Sequence, residues 1–181
     1  MTMQASDSVF YEEKEFTLID VEAGKQIIDY ANFSLIQPLD EFSVSSACWR
    51  GYTAEYFIED NKLYGIKTLN PFEHKVNKST KVCIPFTGSC IIACGSGWNS
   101  DFISSYVDYD EAYELYFDAG KLVEKLSLIS AIDEMKELKD TDKYNNEMEP
   151  YDRRQAIEVI ARKPLKYHYD DNSYKWRNNR D

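Results

Sequence analysis

Residues 47 to 69 decide the fold, and they read Ala47-Cys-Trp-Arg-Gly-Tyr-Thr-Ala-Glu-Tyr-Phe-Ile-Glu-Asp-Asn-Lys-Leu-Tyr-Gly-Ile-Lys-Thr-Leu69. Within residues 52–59 the side chains at even positions alternate with a more polar set at odd positions. Such a period of two is typical of a strand whose two faces meet different surroundings. Asp60 and Asn61 end this run, and both residue types tolerate the left-handed backbone of a tight turn. Residues 63–69, which include several apolar side chains, then run back alongside the first strand. The stretch therefore predicts a β-hairpin.

The composition is that of a folded, sheet-rich protein. The chain has 181 residues, of which 43% are hydrophobic and 14% aromatic, with fourteen tyrosines. This length fits one domain, and the hydrophobic fraction is too high for a disordered chain. Aromatic residues favour pleated sheets, and tyrosine also favours interfaces. We expect a single domain over 1–181, with a disordered segment at 1–9 and a tail at 167–181 whose order is left open.

Acidic residues are concentrated in the first third of the chain. The formal net charge is −11, and residues 1–60 hold twelve Asp or Glu against three Lys or Arg, which gives −9. Such a charge repels nucleic acids and anionic membranes and attracts a basic protein, although it also serves solubility alone. Glu12, Glu13 and Glu15 are therefore candidate binding residues. No secretory signal or apolar run of membrane length occurs, which predicts a cytoplasmic protein with reduced cysteines.

The pattern predicts more strands on both sides of the first hairpin. Residues 16–19 form a strand candidate, and residues 81–94 read as two strands separated by Pro85 and a turn at 87–88. Residues 112–129 predict a second hairpin, in which Gly120 supplies the positive φ of the turn. Residues 21–31 are ambiguous between a helix and a hairpin turning at 22–25. The helix is preferred, although a glycine inside it costs about 1 kcal/mol.

Helical spacing appears only towards the end of the chain. Residues 131–139 carry apolar side chains at intervals of three, and residues 151–163 form the strongest helix candidate, with Asp152 as its cap and Pro164 after its end. Residues 140–150 predict a loop. The expected fold class is α+β: a curved, mainly antiparallel sheet of about six to eight strands with the C-terminal helices packed on it.

The run Cys48-Trp-Arg-Gly-Tyr52 and the hairpin after it resemble a group of uncharacterised bacterial proteins. In that group the run opens a strand, and a short hairpin follows. Weaker similarities extend the resemblance over residues 33–125, whereas residues 95–110 and everything past residue 129 depart from it. The resemblance implies the fold and a bacterial origin, and it implies no reaction.

Sequence motifs for chemistry are weak throughout. Cys90 and Cys94 lie on one face of a predicted strand rather than on turns, so buried thiols are favoured over a zinc site, and no metal or cofactor is expected. Cys48 with His74 or His168 is a conceivable catalytic dyad that the sequence does not bring together. The acids Asp108, Asp110 and Glu111 suit acid–base chemistry, but a solvated loop is the favoured interpretation.

Aromatic residues and one arginine define the remaining candidate site. Trp49 and Arg50 point to opposite faces of a strand, so Trp49 is predicted to be buried while Arg50 either pairs with an acid or faces a cleft. Arg50, Tyr52 and Trp98 are the candidate binding residues at the mouth of the curved sheet. The sequence predicts a non-enzymatic protein-binding module, of the type of an immunity protein that inhibits a basic toxin. The alternative is a small-molecule-binding protein or enzyme with a pocket at that mouth.

Overall fold

The computed structural model describes residues 6–31, 52–69, 77–95 and 105–167. Its strands are β1 (Ser8–Tyr11), β2 (Lys14–Val21), β3 (Tyr52–Glu59), β4 (Lys62–Leu69), β5 (Asn77–Lys78), β6 (Val82–Cys83), β7 (Gly88–Cys94), β8 (Glu111–Asp118) and β9 (Lys121–Ser127). Its helices are α1 (Ile129–Lys139) and α2 (Pro150–Arg162). Within these ranges no helix is long and apolar enough to cross a membrane.

Seven of these strands close into a barrel. Their order is β3-β1-β2-β7-β8-β9-β4, and the pairing of β3 with β4 completes the ring. The short strands β5 and β6 attach to β4 outside the ring. Only the β1–β3 pairing is parallel among the described strands. The predicted α+β class with a mainly antiparallel sheet is confirmed, and the sheet is closed rather than merely curved.

Both predicted hairpins are present because their turn residues suit two-residue turns. Asp60 and Asn61 have φ angles of +49° and +58°, and they join β3 to β4. Ala119 and Gly120 have φ angles of +46° and +80°, and they join β8 to β9. Turns with two left-handed residues match the right-handed twist of the strands that they connect.

Two hydrophobic cores lie on opposite faces of the same strands. The barrel interior contains the inward side chains of every ring strand, for example Phe16, Tyr56 and Leu115. The second core lies between the outer face of β7 and β8 and the helices, and it includes Ile132 and Met135 of α1. Alternation along the strands divides the residues between the cores, because neighbouring side chains point to opposite faces.

Some predictions of secondary structure are wrong. Residues 21–31 form neither an α-helix nor a hairpin, but the end of β2 followed by two short 3₁₀ turns, Glu22–Gly24 and Ile27–Tyr30. Ala23 and Gly24 both have positive φ, which interrupts any continuous helix at that point. The predicted loop at 140–150 contains a π-helical turn, Lys143–Glu147.

Two predicted boundaries also need correction. The segment 1–9 includes ordered residues, since Ser8 begins β1 and the buried Asp7 accepts a hydrogen bond from the backbone N–H of Ala54 at 2.9 Å. Helix α2 starts at Pro150, with Glu149 at the cap position and Asp152 within the first turn. Proline suits the first helical position because the N–H that it lacks has no intrahelical partner there.

Candidate functional site

A row of aromatic side chains crosses the outer surface of the barrel. The strand registers place Glu15 opposite Phe10, Phe10 beside Phe57, and Phe57 opposite Tyr64. Paired residues share a face of the sheet, so these four side chains point the same way. Val9 and Tyr56, their neighbours in sequence, are buried in the barrel interior, which assigns the row to the outer face.

The centre of this row is a stacked pair of phenylalanines. The rings of Phe10 and Phe57 lie 5.0 Å apart between centroids with an interplanar angle of 12°. Both rings and that of Tyr64 are half-buried. The ammonium group of Lys81 lies 4.5 Å from the Phe57 ring centroid and 5.2 Å from that of Tyr64. Aromatic rings attract a cation at such distances through their negative faces.

Glutamates border these rings. Glu59 forms an ion pair of 2.6 Å with Lys81, and Glu15 accepts a hydrogen bond of 2.7 Å from the hydroxyl of Ser8. Glu55 lies beside Ser8 in the parallel register. We call the following set the aromatic face: Phe10, Phe57, Tyr64, Lys81, Glu15, Glu55 and Glu59.

A second cluster of charged and aromatic groups lies at the end of the barrel where β1 turns into β2. Glu111 at the start of β8 accepts hydrogen bonds from Lys14 Nζ at 2.7 Å and from the hydroxyl of Tyr113 at 2.6 Å. The Sγ atom of Cys94 lies 3.6 Å from the same carboxylate. The ammonium of Lys14, first of all, and the hydroxyl of Tyr113 hold the pKa of Glu111 below its ordinary value.

Lys125 extends this cluster across the barrel end. It forms an ion pair of 2.7 Å with Glu12, and its ammonium lies 4.1 Å from the ring centroid of Tyr113 and 4.9 Å from that of Tyr11. The hydrogen bond from Lys125 lowers the pKa of Glu12. We call this set the barrel-end network, and its members are Tyr11, Glu12, Lys14, Cys94, Glu111, Tyr113 and Lys125.

The barrel-end network holds its acidic hydroxyl and thiol groups in their protonated forms. The pKa of Tyr113 is raised to about 12, chiefly by its hydrogen bond to Glu111, and that of Tyr11 is raised to about 12, chiefly by burial. Burial and the neighbouring Glu111 also raise the pKa of the Cys94 thiol. A protonated thiol is a poor nucleophile, so the network suits a structural role better than covalent catalysis.

The candidate binding residues from the sequence do not form one site. Glu15 belongs to the aromatic face, Glu13 is exposed in the β1–β2 turn, and Glu12 is engaged with Lys125 in the barrel-end network. Tyr52 points into the barrel, where its hydroxyl donates to Gln26 Oε1 at 2.5 Å and Lys67 lies 3.9 Å from its ring centroid. The remaining candidates and the other residues singled out by the sequence lie outside the described residues: Cys48, Trp49, Arg50, His74, Trp98 and His168.

The three acids around the start of β8, Asp108, Asp110 and Glu111, have separate partners. Asp108 pairs with Lys139 at 2.6 Å and closes a capping box with Ser105. Its side chain is only 9% exposed, so the solvated-loop interpretation is wrong for this residue. Asp110 lies 3.9 Å from Lys136, and Glu111 belongs to the barrel-end network. The acids therefore fasten separate elements to one another instead of facing one reaction centre.

The cysteine predictions are met in part. Cys90 is buried in the barrel interior, and burial raises its pKa to about 12. Cys94, four residues further along β7 on the same face, is partly exposed, and Cys83 in β6 is exposed. In the described ranges no three potential ligands come together as a metal site would require. The absence of a bound metal stays a prediction.

Sequence reasoning missed the outward aromatic residues. Phe57 occupies a polar position in the alternation of β3, and an aromatic residue between Glu55 and Glu59 was the available signal. Glu114 was missed as well. It is 1% exposed, and its carboxylate accepts hydrogen bonds from the backbone N–H groups of Lys166 and Tyr167 at 2.7 and 2.9 Å. Its place among the polar positions of β8 suggested a solvated side chain. The segment at 166–167 that covers it is distant in sequence, so no local pattern could reveal the burial.

Comparisons of the chain with protein-family models, with curated proteins and with solved structures found no match.

Proposed function

We propose that the protein is a non-enzymatic binding module that takes a basic protein partner on its aromatic face. The observation that carries this proposal is the position of Lys81, whose ammonium lies over Phe57 and Tyr64 while it pairs with Glu59. This arrangement of the chain's own lysine supports a surface that takes a partner's cation over its rings. No described cation lies over Phe10, so a lysine or arginine of a partner can occupy the equivalent position there.

The charge distribution supports a basic partner. The net charge of −9 on residues 1–60 covers β1, β2 and β3, which carry most of the aromatic face. Half-buried aromatic groups inside an acidic rim have the composition of a protein-binding hot spot. The partner that we propose is a basic toxin. On this proposal the chain is an immunity-type protein that inhibits the toxin and is located in a bacterial cytoplasm. The bacterial origin rests on the resemblance at residues 48–52 and is likewise part of this proposal.

The alternative, a small-molecule or catalytic site at the mouth of the sheet, has less support. At the barrel end, Lys125 and Glu12 pair over the rings of Tyr11 and Tyr113, so the protein's own side chains occupy the groups that a ligand would need. Tyr52, the described candidate at the mouth, already has Gln26 and Lys67 as partners.

The test compares two variants with the same change in charge. Glu15→Lys/Glu55→Lys/Glu59→Lys reverses the rim of the aromatic face. The matched control, Asp133→Lys/Glu137→Lys/Glu147→Lys, reverses three exposed acids of the helical layer. Each protein is used to capture binding partners from a bacterial extract, and association rates with the captured partner are then measured from low to high salt.

We expect the wild type and the control to capture the same basic protein and the face variant to lose it. Association with the face variant should be slower by about tenfold at low salt, because exposed charges steer association through a field that is screened over about 10 Å at 0.1 M salt. Phe10→Ala should instead speed dissociation. Equal capture and equal rates for both triple variants would contradict the proposal and leave solubility as the role of the charge.

A further inference from the structure

A cavity of about 540 Å³ lies between α2 and the outer face of β2 and β7. It is separate from the aromatic face and from the barrel-end network. Its size falls within the range of about 300 to 1,000 Å³ that is usual for small-molecule sites. The proposed protein-binding function makes no use of it.

One side of this cavity is apolar. Ile19 and Ile91 project from the outer face of β2 and β7, and Ile157 and Leu165 face them from the helical side. Ile91 is 3% exposed, so this floor is continuous with the second hydrophobic core. A flexible apolar body of a ligand gains free energy when it leaves water for such a floor.

The polar side of the cavity contains two arginines in different states. Arg162 donates to Glu158, one helical turn before it, and this pair is electrically neutral. Arg154 lies one turn before Glu158 on the same face of α2, and it makes no ion pair or hydrogen bond within the described part of the chain. The exposed Gln155 beside it is likewise without such a bond in that part. Arg154 is therefore the cation that a ligand can engage.

The charges also limit what the ligand can carry. Asp20 and Glu158 both line the cavity, and although Arg162 balances the charge of Glu158, these acidic residues would repel a dianionic phosphate more than a monoanion. A single carboxylate avoids most of this repulsion and matches the planar fork of a guanidinium with two parallel hydrogen bonds. The amide of Gln155 can add a third donor.

We propose that this cavity binds a small monocarboxylate with an apolar body. Its carboxylate lies on Arg154, and its body lies on the floor of Ile19, Ile91 and Ile157. This assignment is independent of the proposed protein partner, because the residues involved lie on α2, on β7 and towards the end of β2 that is farther from Glu15, and none of them belongs to the aromatic face.

The experiment titrates the full chain with 4-phenylbutyrate and follows backbone amide shifts by NMR. The uncharged 4-phenylbutanol and the cationic 4-phenylbutylamine serve as matched ligands. We expect saturable shifts around Ile91 and Ile157 with the carboxylate, and weaker binding of both matched ligands. Arg154→Gln should weaken carboxylate binding about tenfold, as expected for loss of a charge-assisted hydrogen bond.

Two further variants keep the test decisive. Lys143→Gln removes an exposed positive charge outside the cavity and should leave the affinity unchanged. Ile157→Trp fills the cavity and should abolish binding while the spectrum remains that of a folded protein. The proposal is overturned if 4-phenylbutyrate does not bind, if the amine binds equally well, or if Arg154→Gln and Lys143→Gln have the same effect.

Discussion

At the scale of single residues, the β1–β2 turn stands apart from the other two hairpin turns. Glu12 and Glu13 have φ angles of +49° and +63°, whereas asparagine or glycine occupies one position of each of the other turns. A residue with a Cβ atom in this conformation costs about 1 kcal/mol or more, and glutamate has none of the local hydrogen bonding that helps asparagine. Strain of this kind is kept where the side chains serve another purpose.

Glu13→Gly should therefore stabilise the protein. Removing the Cβ atom relieves the left-handed strain, and we expect the free energy of unfolding to rise by about 1 kcal/mol. Urea denaturation measures this change. Glu13→Gln is the matched control, since it removes the charge but keeps the strain, and it should leave the stability unchanged. An equal gain from both variants would show that charge repulsion, and not backbone strain, is the cost at this position.

The hydroxyl of Tyr113 should make stability depend on alkaline pH. Its pKa is raised to about 12 in the folded protein from the ordinary value of 10.0. A raised pKa contributes stability that is fully present below pH 10 and is lost as the pH rises towards 12. Tyr113→Phe should melt at a lower temperature than the wild type at pH 8, and the difference should shrink between pH 10 and 12. A difference that stays constant over this range would contradict the hydrogen bond to Glu111.

At the scale of elements, the two long hairpins meet at their turns. The backbone N–H of Leu63 donates to the carbonyl of Gly120 at 2.8 Å, and the N–H of Gly120 donates to the carbonyl of Phe86 at 2.8 Å. These bonds hold the β8–β9 turn against β4 and against the segment between β6 and β7. The barrel closes at this contact, because β9 pairs with β4 next to it, at Lys62 and Lys121.

Gly120→Ala should open this contact. A Cβ atom there would lie 2.3 Å from the carbonyl oxygen of Ile84, and the φ of +80° adds strain, so we expect a loss of about 2 to 4 kcal/mol. Gly24→Ala is the control, because its φ is also positive but its Cβ atom would meet nothing within 4 Å. It should cost only about 1 kcal/mol, the strain alone. Urea denaturation of both variants gives the comparison, and equal losses would remove the steric argument.

Local chemistry made the hairpins predictable from the sequence, and distance along the chain made the rest unpredictable. Asp60-Asn61 and Gly120 specify turns through their own backbone preferences. The parallel pairing of β1 with β3 joins residues about fifty positions apart, and no local pattern encodes it. The aromatic face depends on that pairing, since it brings Phe10 beside Phe57. Its acidic side could be predicted from composition, but its geometry could not.

At the scale of the whole molecule, the two cores share the strands β7 and β8. Cys90 and Ile92 point into the barrel, whereas Ile91 and Ala93 point towards the helices. If either core lost its packing, one face of β7 and β8 would become exposed, and these are the strands on which the other core also packs. The structure therefore favours one cooperative unit among the described residues, and the single domain over 1–181 stays a prediction.

Met135→Ala tests this cooperativity. Met135 is 0% exposed in the core between α1 and the barrel, and its truncation should cost about 2 to 5 kcal/mol. If the cores unfold together, the circular dichroism of the backbone and the near-ultraviolet signal of the tyrosines should shift to the same lower denaturant concentration. Leu115→Ala, which makes a similar change inside the barrel, should shift both signals in the same way. Separate transitions in either variant would show that the helical layer unfolds from an intact barrel, and the chain would then contain two units of stability.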